Sequence, residues 1–197
     1  RQVSKVPVNR RQRRTRLQLE AKMSVAEIYS PPRMAVAAQK LGLRPGWSLD
    51  ITETDPEDGK TWDLSNPEKQ AKARMMLRQD EPTMLIASPM CGPFSSWMHV
   101  NYSHMSEADV ETKLTAAVQH LSFAVNLCLE QSRAGRLFMF EHPAGATSWS
   151  TRILKRLMAE ANTTKTVFDC CTLGMRATGP DGVEGPAKKR TAVLTNS

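Results

Sequence analysis

Short apolar runs recur along this chain with helical stretches between them, and only the last run breaks the alternation. Val25 to Tyr29, Trp47 to Ile51, Met84 to Ser88, Leu137 to Phe140 and Thr166 to Asp169 read as strands, bounded by Gly, Pro and polar turns. Between them fall a short apolar helix from Met34 to Leu41 closed by Gly42, a helix from Asn66 to about Gln79, a long helix from Ser106 to Gly135, and one at about Ser148 to Glu160. Asn66 is a natural cap with Pro67 at the first helical position. That helix carries few apolar residues, Ala71, Met75 and Met76 among them, which predicts an exposed element. The Ser106 helix opens on a capping-box pattern, and its apolar residues at 110, 114, 117, 118, 121, 124, 125 and 128 form one stripe. Phe123 and Cys128 are therefore read as core. Strand–helix alternation predicts a mostly parallel sheet with helices on both faces, joined by right-handed crossovers. Thr191 to Thr195 follows the fifth strand through a Gly- and Pro-rich connection without helical period, and such a connection joins antiparallel neighbours.

A chain of 197 residues with 40% hydrophobic and 24% charged residues suits one globular domain with a real core. No apolar run reaches the length of a membrane span, and the first residues are too basic for a secretory signal, which points to nucleus or cytoplasm rather than secretion. The four cysteines, at 91, 128, 170 and 171, show no C-x-x-C spacing, so neither a disulfide framework nor a zinc ribbon is expected. Charge is uneven. Residues 1–16 hold seven Lys or Arg and no acid, leaving 20 basic and 20 acidic residues in the remainder, so the net +7 resides in this segment. Residues 1–22 read as a basic tail, disordered alone, and 23–197 as the domain. Arg10, Arg11, Arg13 and Arg14 suit phosphate contacts, with nucleic acid as the partner and no membrane. A localisation signal or solubilising linker is the competing reading of that tail.

The most site-like stretch is 82–97. The apolar run ends at Ser88, and two prolines and a glycine surround Cys91 just past a strand's C-terminal end, where open α/β sheets place ligands. The plainer alternative is an inert thiol in a tight turn. Glu141 follows the Leu137 to Phe140 strand directly. His99, His104 and His142 are candidates to join Cys91 around a zinc ion, or, for His142, to serve as its base in a thiol hydrolase.

These residues carry a resemblance. SPMCGPFS at 88–95 resembles the Pro-Cys motif of DNA cytosine-5 methyltransferases, FEHPAG at 140–145 resembles that family's Glu-Asn-Val or Glu-Asn-Pro motif, and 171–196 is similar to the end of its catalytic core. The resemblance spans about 23–197. It implies a Rossmann-like methyltransferase sheet with a reversed C-terminal hairpin strand, S-adenosylmethionine as cofactor and DNA as partner. Cys91 matches the nucleophile that attacks C6 of a flipped cytosine, and Glu141 the carboxyl facing ring N3. Tyr29, Ser30, Asp50, Asp63 and Ser88 match cofactor-binding positions, Asp50 at the ribose and Asp63 at the adenine. Lys188, Lys189 and Arg190 stand nearest to the family's Gln-x-Arg-x-Arg segment, which is absent. The family's Phe-x-Gly-x-Gly loop is here Tyr29-Ser30-Pro31-Pro32-Arg33, which lacks two amide donors. That departure sets up the alternative of a non-catalytic, nucleic-acid-binding member of the fold. The absence of a recognition segment and the first residue, Arg, imply a catalytic core within a longer chain, such as a retroelement polyprotein whose other segments are partners.

Overall fold

The structure, a computed structural model, describes residues 25–95 and 98–197, the side chains of 99 and 100 excepted. Residues 1–24, with Arg10, Arg11, Arg13 and Arg14, lie outside the described residues, as does the side chain of His99. Among the described residues, eight strands and five α-helices follow in the order β1 (Val25–Ile28), α1 (Arg33–Lys40), β2 (Pro45–Leu49), α2 (Pro67–Asp80), β3 (Met84–Ala87), α3 (Met98–Tyr102), α4 (Glu107–Arg133), β4 (Leu137–Pro143), α5 (Arg152–Met158), β5 (Thr164–Asp169), β6 (Arg176–Thr178), β7 (Glu184–Pro186) and β8 (Arg190–Thr195).

Six strands make one sheet in the order β2-β1-β3-β4-β8-β5. β1, β2, β3 and β4 are parallel, while β8 runs antiparallel to β4 on one side and to β5 on the other. The sheet is thus mostly parallel with one reversed C-terminal strand, as the alternation predicts. The reversed strand does more than close a hairpin with β5. The helical crossover through α5 sets β5 one strand beyond β4, and β8 returns in the opposite direction to fill the gap. Its end is tied to β4 by Asn196, whose Oδ1 accepts from the Phe138 amide at 2.8 Å. The β6–β7 hairpin lies in the Gly- and Pro-rich connection and forms its own two-stranded sheet, an element no hydrophobic period announced.

β2 begins at Pro45, earlier than the Trp47 expected, and stops at Leu49, because Asp50 turns the chain by accepting the Glu53 amide. Its close approach to β1 needs glycine: a Cβ on Gly46 would lie 2.1 Å from the Val25 carbonyl oxygen. One face of the sheet, with Ala26, Ile28, Leu85, Phe138, Phe140, Ala192 and Leu194, packs with Leu77, Leu121, Leu127, Leu154 and Leu157 from α2, α4 and α5. Side chains alternate along a strand, so Glu27 points to the opposite face, where it meets α1.

Two expectations about the helices need correction. α2 is not simply exposed: it buries Lys69, Ala73 and Leu77, while Met75 remains 48% exposed. The stripe on α4 is core only from Ala117 onward. Val110 and Leu114 are half-buried, Val118 is exposed, and with Tyr102 and Met105 they line an open groove of about 610 Å³. Cys128 is fully buried core, as read, and burial pushes its thiol far up. Among the described residues, no helix is long and apolar enough to cross a membrane.

Candidate active site

The Cys91 loop is held from three sides. The Ser88 amide extends the β1–β3 ladder by one residue, donating to the Ile28 carbonyl at 3.2 Å, so Ser88 itself sits half-buried at the sheet's end. Cys91 then caps a 3₁₀ turn over Gly92–Phe94, with the Phe94 amide returning to the Cys91 carbonyl at 3.0 Å. Phe94 is buried, and its carbonyl accepts from Thr147 Oγ1 at 3.2 Å. Tyr102 at the end of α3 donates its hydroxyl to the Pro93 carbonyl at 2.7 Å. The thiol stays half-buried, and a Cβ added at neighbouring Gly92 would meet nothing within 4 Å, so there is room beside it.

β4 continues past Phe140, which places Glu141 inside the strand opposite Val193 rather than just after it. Because β8 is inserted beside β4, the residue preceding it, Lys189, reaches Glu141, with Nζ 3.3 Å from Oε1. Both charges act on Cys91. Burial first, then the Glu141 carboxylate, pushes the thiol above its ordinary value, and the Lys189 ammonium opposes them. The structure therefore brings Cys91, Glu141 and Lys189 into one electrostatic unit at the ends of β3, β4 and the start of β8.

His142 does not enter that unit as a base or a ligand. It is fully buried, with Nδ1 2.7 Å from Ser148 Oγ and Nε2 3.1 Å from the Pro89 carbonyl oxygen. Burial is the main reason its imidazole falls to about 4, with Lys189 adding to the depression and the Pro89 hydrogen bond opposing it. Both ring nitrogens are occupied, so the thiol-hydrolase base and the zinc-ligand role are overturned for this residue. His104 is exposed, and among the described residues no three His, Cys, Asp or Glu side chains gather as a metal site.

A second cluster lies at the ends of β1 and β2. Tyr29 adopts φ 59°, a left-handed conformation unusual for a bulky residue, and its hydroxyl oxygen lies 3.1 Å from His120 Nδ1 on α4. Burial, then the Asp63 charge, raises the Tyr29 phenol, while burial lowers His120 against the pull of Asp63. Asp63 is itself held low by the Ser65 hydroxyl and amide. Asp50 closes its own turn, Oδ1 accepting from the Thr52 amide at 3.0 Å and hydroxyl at 2.7 Å. Its Oδ2 carries no hydrogen bond among the described residues.

The amides of the first loop are largely committed. Tyr29 donates to Leu49, and Arg33 to Pro31. Met34 and Ala35 donate to Glu27 Oε1 at 3.0 and 2.9 Å, and Ser48 Oγ donates to the same oxygen at 2.9 Å. Pro31 and Pro32 have no amide to give, which leaves Ser30 as the loop's one uncommitted amide among the described residues; its hydroxyl donates to Pro31. Glu27 thus supplies from within the chain the anion that a helix N-terminus attracts. Its second oxygen, Oε2, is buried with no partner. The strand ends therefore carry acceptors on Asp50 and Asp63 and hardly any free amides, while Glu27 is fully buried against α1. Carboxylates at Asp50 and Asp63 suit the hydroxyl and amine donors of a nucleoside, and do not suit a phosphate.

Of the basic cluster, Lys188 lies 3.9 Å from Asp169 and Lys189 pairs with Glu141, while Arg190 is exposed opposite Asp169 in the β5–β8 ladder. Sequence reasoning missed Glu27, His120, Ser148 and Tyr102. Only Glu27 left a trace there: an acid inside an apolar strand, ahead of a helix start with no Ser, Thr, Asp or Asn cap.

Sheet order and reversed strand define the class: an α/β protein with a methyltransferase-like Rossmann sheet. No family model matches the chain, and no curated protein matches it. Among solved structures, the chain is similar to the Entamoeba histolytica methyltransferase EhMeth, at 8% identity and a TM-score of 0.49, with 88% of this chain and 52% of that chain covered. The chain thus spans about half of that protein's length. A likeness of that extent adds nothing to the topology described above.

Proposed function

We propose that this chain transfers a methyl group from S-adenosylmethionine to C5 of cytosine in DNA through a covalent adduct on Cys91. The observation that carries this reading is the joint placement of a half-buried thiol and a carboxyl group at adjacent strand ends, close enough for the carboxylate charge to raise the thiol. Addition of a thiolate to C6 of an aromatic pyrimidine is uphill unless ring N3 receives a proton or a hydrogen bond, and Glu141 is the group for that task. Addition makes C5 nucleophilic. Loss of the C5 proton to a solvent base and expulsion of the Cys91 thiolate then restore the ring.

S-adenosylmethionine supplies an electrophilic methyl group when bound. Asp50 and Asp63 would hold its ribose and adenine. Lys189 leaves Glu141 as the base enters, and with Lys188, Arg190 and the arginines of the N-terminal segment it contacts DNA phosphates. A second reading, a non-catalytic nucleic-acid-binding member of the fold, is favoured by one observation: the loop after β1 has its amides committed internally.

Covalent trapping separates the two. The protein and a Cys91→Ser variant are incubated with S-adenosylmethionine and duplex DNA containing 5-fluorocytosine, whose fluorine blocks elimination. The proposal expects a denaturation-resistant adduct with Cys91 only, and only with cofactor. No adduct, together with calorimetry showing no cofactor binding but retained DNA binding, would leave the binding module as the function.

A further inference from the structure

We infer that His142 is a positioning residue for Cys91: its ring ties the Pro89 carbonyl to Ser148 and so fixes where the thiol stands relative to Glu141. The inference rests on Cys91 being the reactive group of this site, but its readout is the thiol itself and does not depend on methyl transfer.

The hydrogen bonds assign the tautomer. A carbonyl oxygen only accepts, so the 3.1 Å contact with Pro89 puts the proton on Nε2. Nδ1 is then the acceptor and the Ser148 hydroxyl donates to it at 2.7 Å. The ring is fully buried and sits among Phe140, Phe94 and Trp149, at centroid separations of 5.1, 6.1 and 6.3 Å, so it has no alternative partner and little freedom to rotate.

Chain connectivity makes this more than a satisfied core histidine. His142 follows Glu141 directly in β4, and Pro89 stands two residues before Cys91. One hydrogen bond therefore links the neighbour of the carboxyl to the loop of the thiol, across two strands whose regular ladder ends at Ala87 and Phe140. Beyond that point no β3–β4 backbone pairing sets the loop's height. Tyr102 and Thr147 hold the far side of the turn, at Pro93 and Phe94. On the near side the Ser88 amide is tied to Ile28, and His142 supplies the side-chain hold nearest to Cys91, at Pro89.

A filler and a positioner respond differently to substitution. Phe fills the same space and leaves the Pro89 carbonyl without its donor, whereas the longer Gln carries an amide N–H where Nε2 stood and offers it to that carbonyl. The test is iodoacetamide alkylation of the full chain, read cysteine by cysteine by peptide mass mapping. His142→Phe is expected to change the Cys91 rate by about fivefold or more, and His142→Gln to stay within about twofold of wild type. Cys170 and Cys171 in the same samples are expected to be unaffected. Equal Cys91 rates in wild type and His142→Phe, or equal shifts in both variants, would overturn the inference, as would parallel changes at Cys170 and Cys171. If His142→Phe does not fold, nitrogen-15 NMR of the wild-type imidazole decides: a neutral ring protonated at Nε2 supports the inference, and a proton on Nδ1 or an imidazolium at pH 7 refutes it. A normal alkylation pattern with no 5-fluorocytosine adduct would count against methyl transfer alone.

Discussion

In the resting protein the Cys91 thiol is protonated at neutral pH, since burial and the Glu141 carboxylate raise it from an ordinary value of 9.0 and outweigh Lys189 and a backbone hydrogen bond, which work against them. The arrangement makes reactivity depend on what occupies Glu141. A base that shares its N3 with the Glu141 carboxyl removes one of the two influences that keep the thiol protonated, so nucleophile and acid are activated together. Two substitutions expose this coupling. Glu141→Gln removes a raising influence and frees Lys189, so the alkylation pH profile of Cys91 shifts to lower pH and the rate at pH 8 rises roughly threefold to tenfold. Lys189→Ala shifts it the other way. The same Glu141→Gln protein is expected to lose 5-fluorocytosine trapping, so a faster thiol with no adduct would separate nucleophilicity from catalysis. Cys91 and Glu141 were legible in the sequence because each sits where an apolar run ends. The Lys189–Glu141 pair was not, because it exists only through the insertion of β8 beside β4. Lys189 consequently read only as part of the basic cluster nearest to the absent Gln-x-Arg-x-Arg segment.

Among the elements, α2 shows why periodicity alone misjudged a helix. Its buried face contains a charge. Lys69 is 5% exposed, with Nζ 2.6 Å from Asp55 and 2.9 Å from Asp58, and it lies 4.7 Å from the centroid of the Trp62 ring. Lys72 adds contacts of 2.7 Å to Asp55 and 2.6 Å to Glu57. A pattern search that scores lysine as solvent-facing cannot see this face, whereas the acidic loop 52–60 was visible without its partner. Burial alone would raise the Asp55 carboxyl, but Lys69, Lys72 and the Glu57 amide outweigh it and hold the group at about 2, below the ordinary 3.8. A depressed folded value means the stabilisation is complete above about pH 4 and is lost as pH falls through about 2. Asp55→Asn is expected to cost about 3 kcal/mol at pH 7, the low end for a broken buried pair, because Asp58 remains for Lys69 and Glu57 for Lys72. Urea melts at pH 7, 4 and 2.5 check both points. The gap between wild type and variant should narrow toward the acid end, and a gap independent of pH would show that the ion pairs contribute through packing only.

For the whole molecule, the distribution of charge makes a claim that the fold sharpens. Residues 17–197 hold equal numbers of basic and acidic side chains, 20 of each, and the +7 excess belongs to the first 16 residues. In the folded domain, two of the three cations at 188–190 already face carboxylates, Lys188 near Asp169 and Lys189 on Glu141. A cation that must leave a carboxylate to reach a phosphate gains less from counterion release than one with no acid nearby. DNA affinity should therefore depend on salt mainly through the N-terminal segment. Replacing Arg10, Arg11, Arg13 and Arg14 by Gln is expected to flatten the plot of log affinity against log salt by about 3 to 4, near the full ~0.9 per phosphate contact. Replacing Lys188, Lys189 and Arg190 by Gln should flatten it by only about 1 to 2, because just one of those side chains is without a carboxylate contact. Fluorescence anisotropy with a duplex of mixed sequence, over 50 to 200 mM salt, measures both slopes. Equal reductions would mean that the 188–190 cations abandon Asp169 and Glu141 completely on binding. That would make displacement of Lys189 from Glu141 a consequence of DNA docking itself, before any base reaches Cys91.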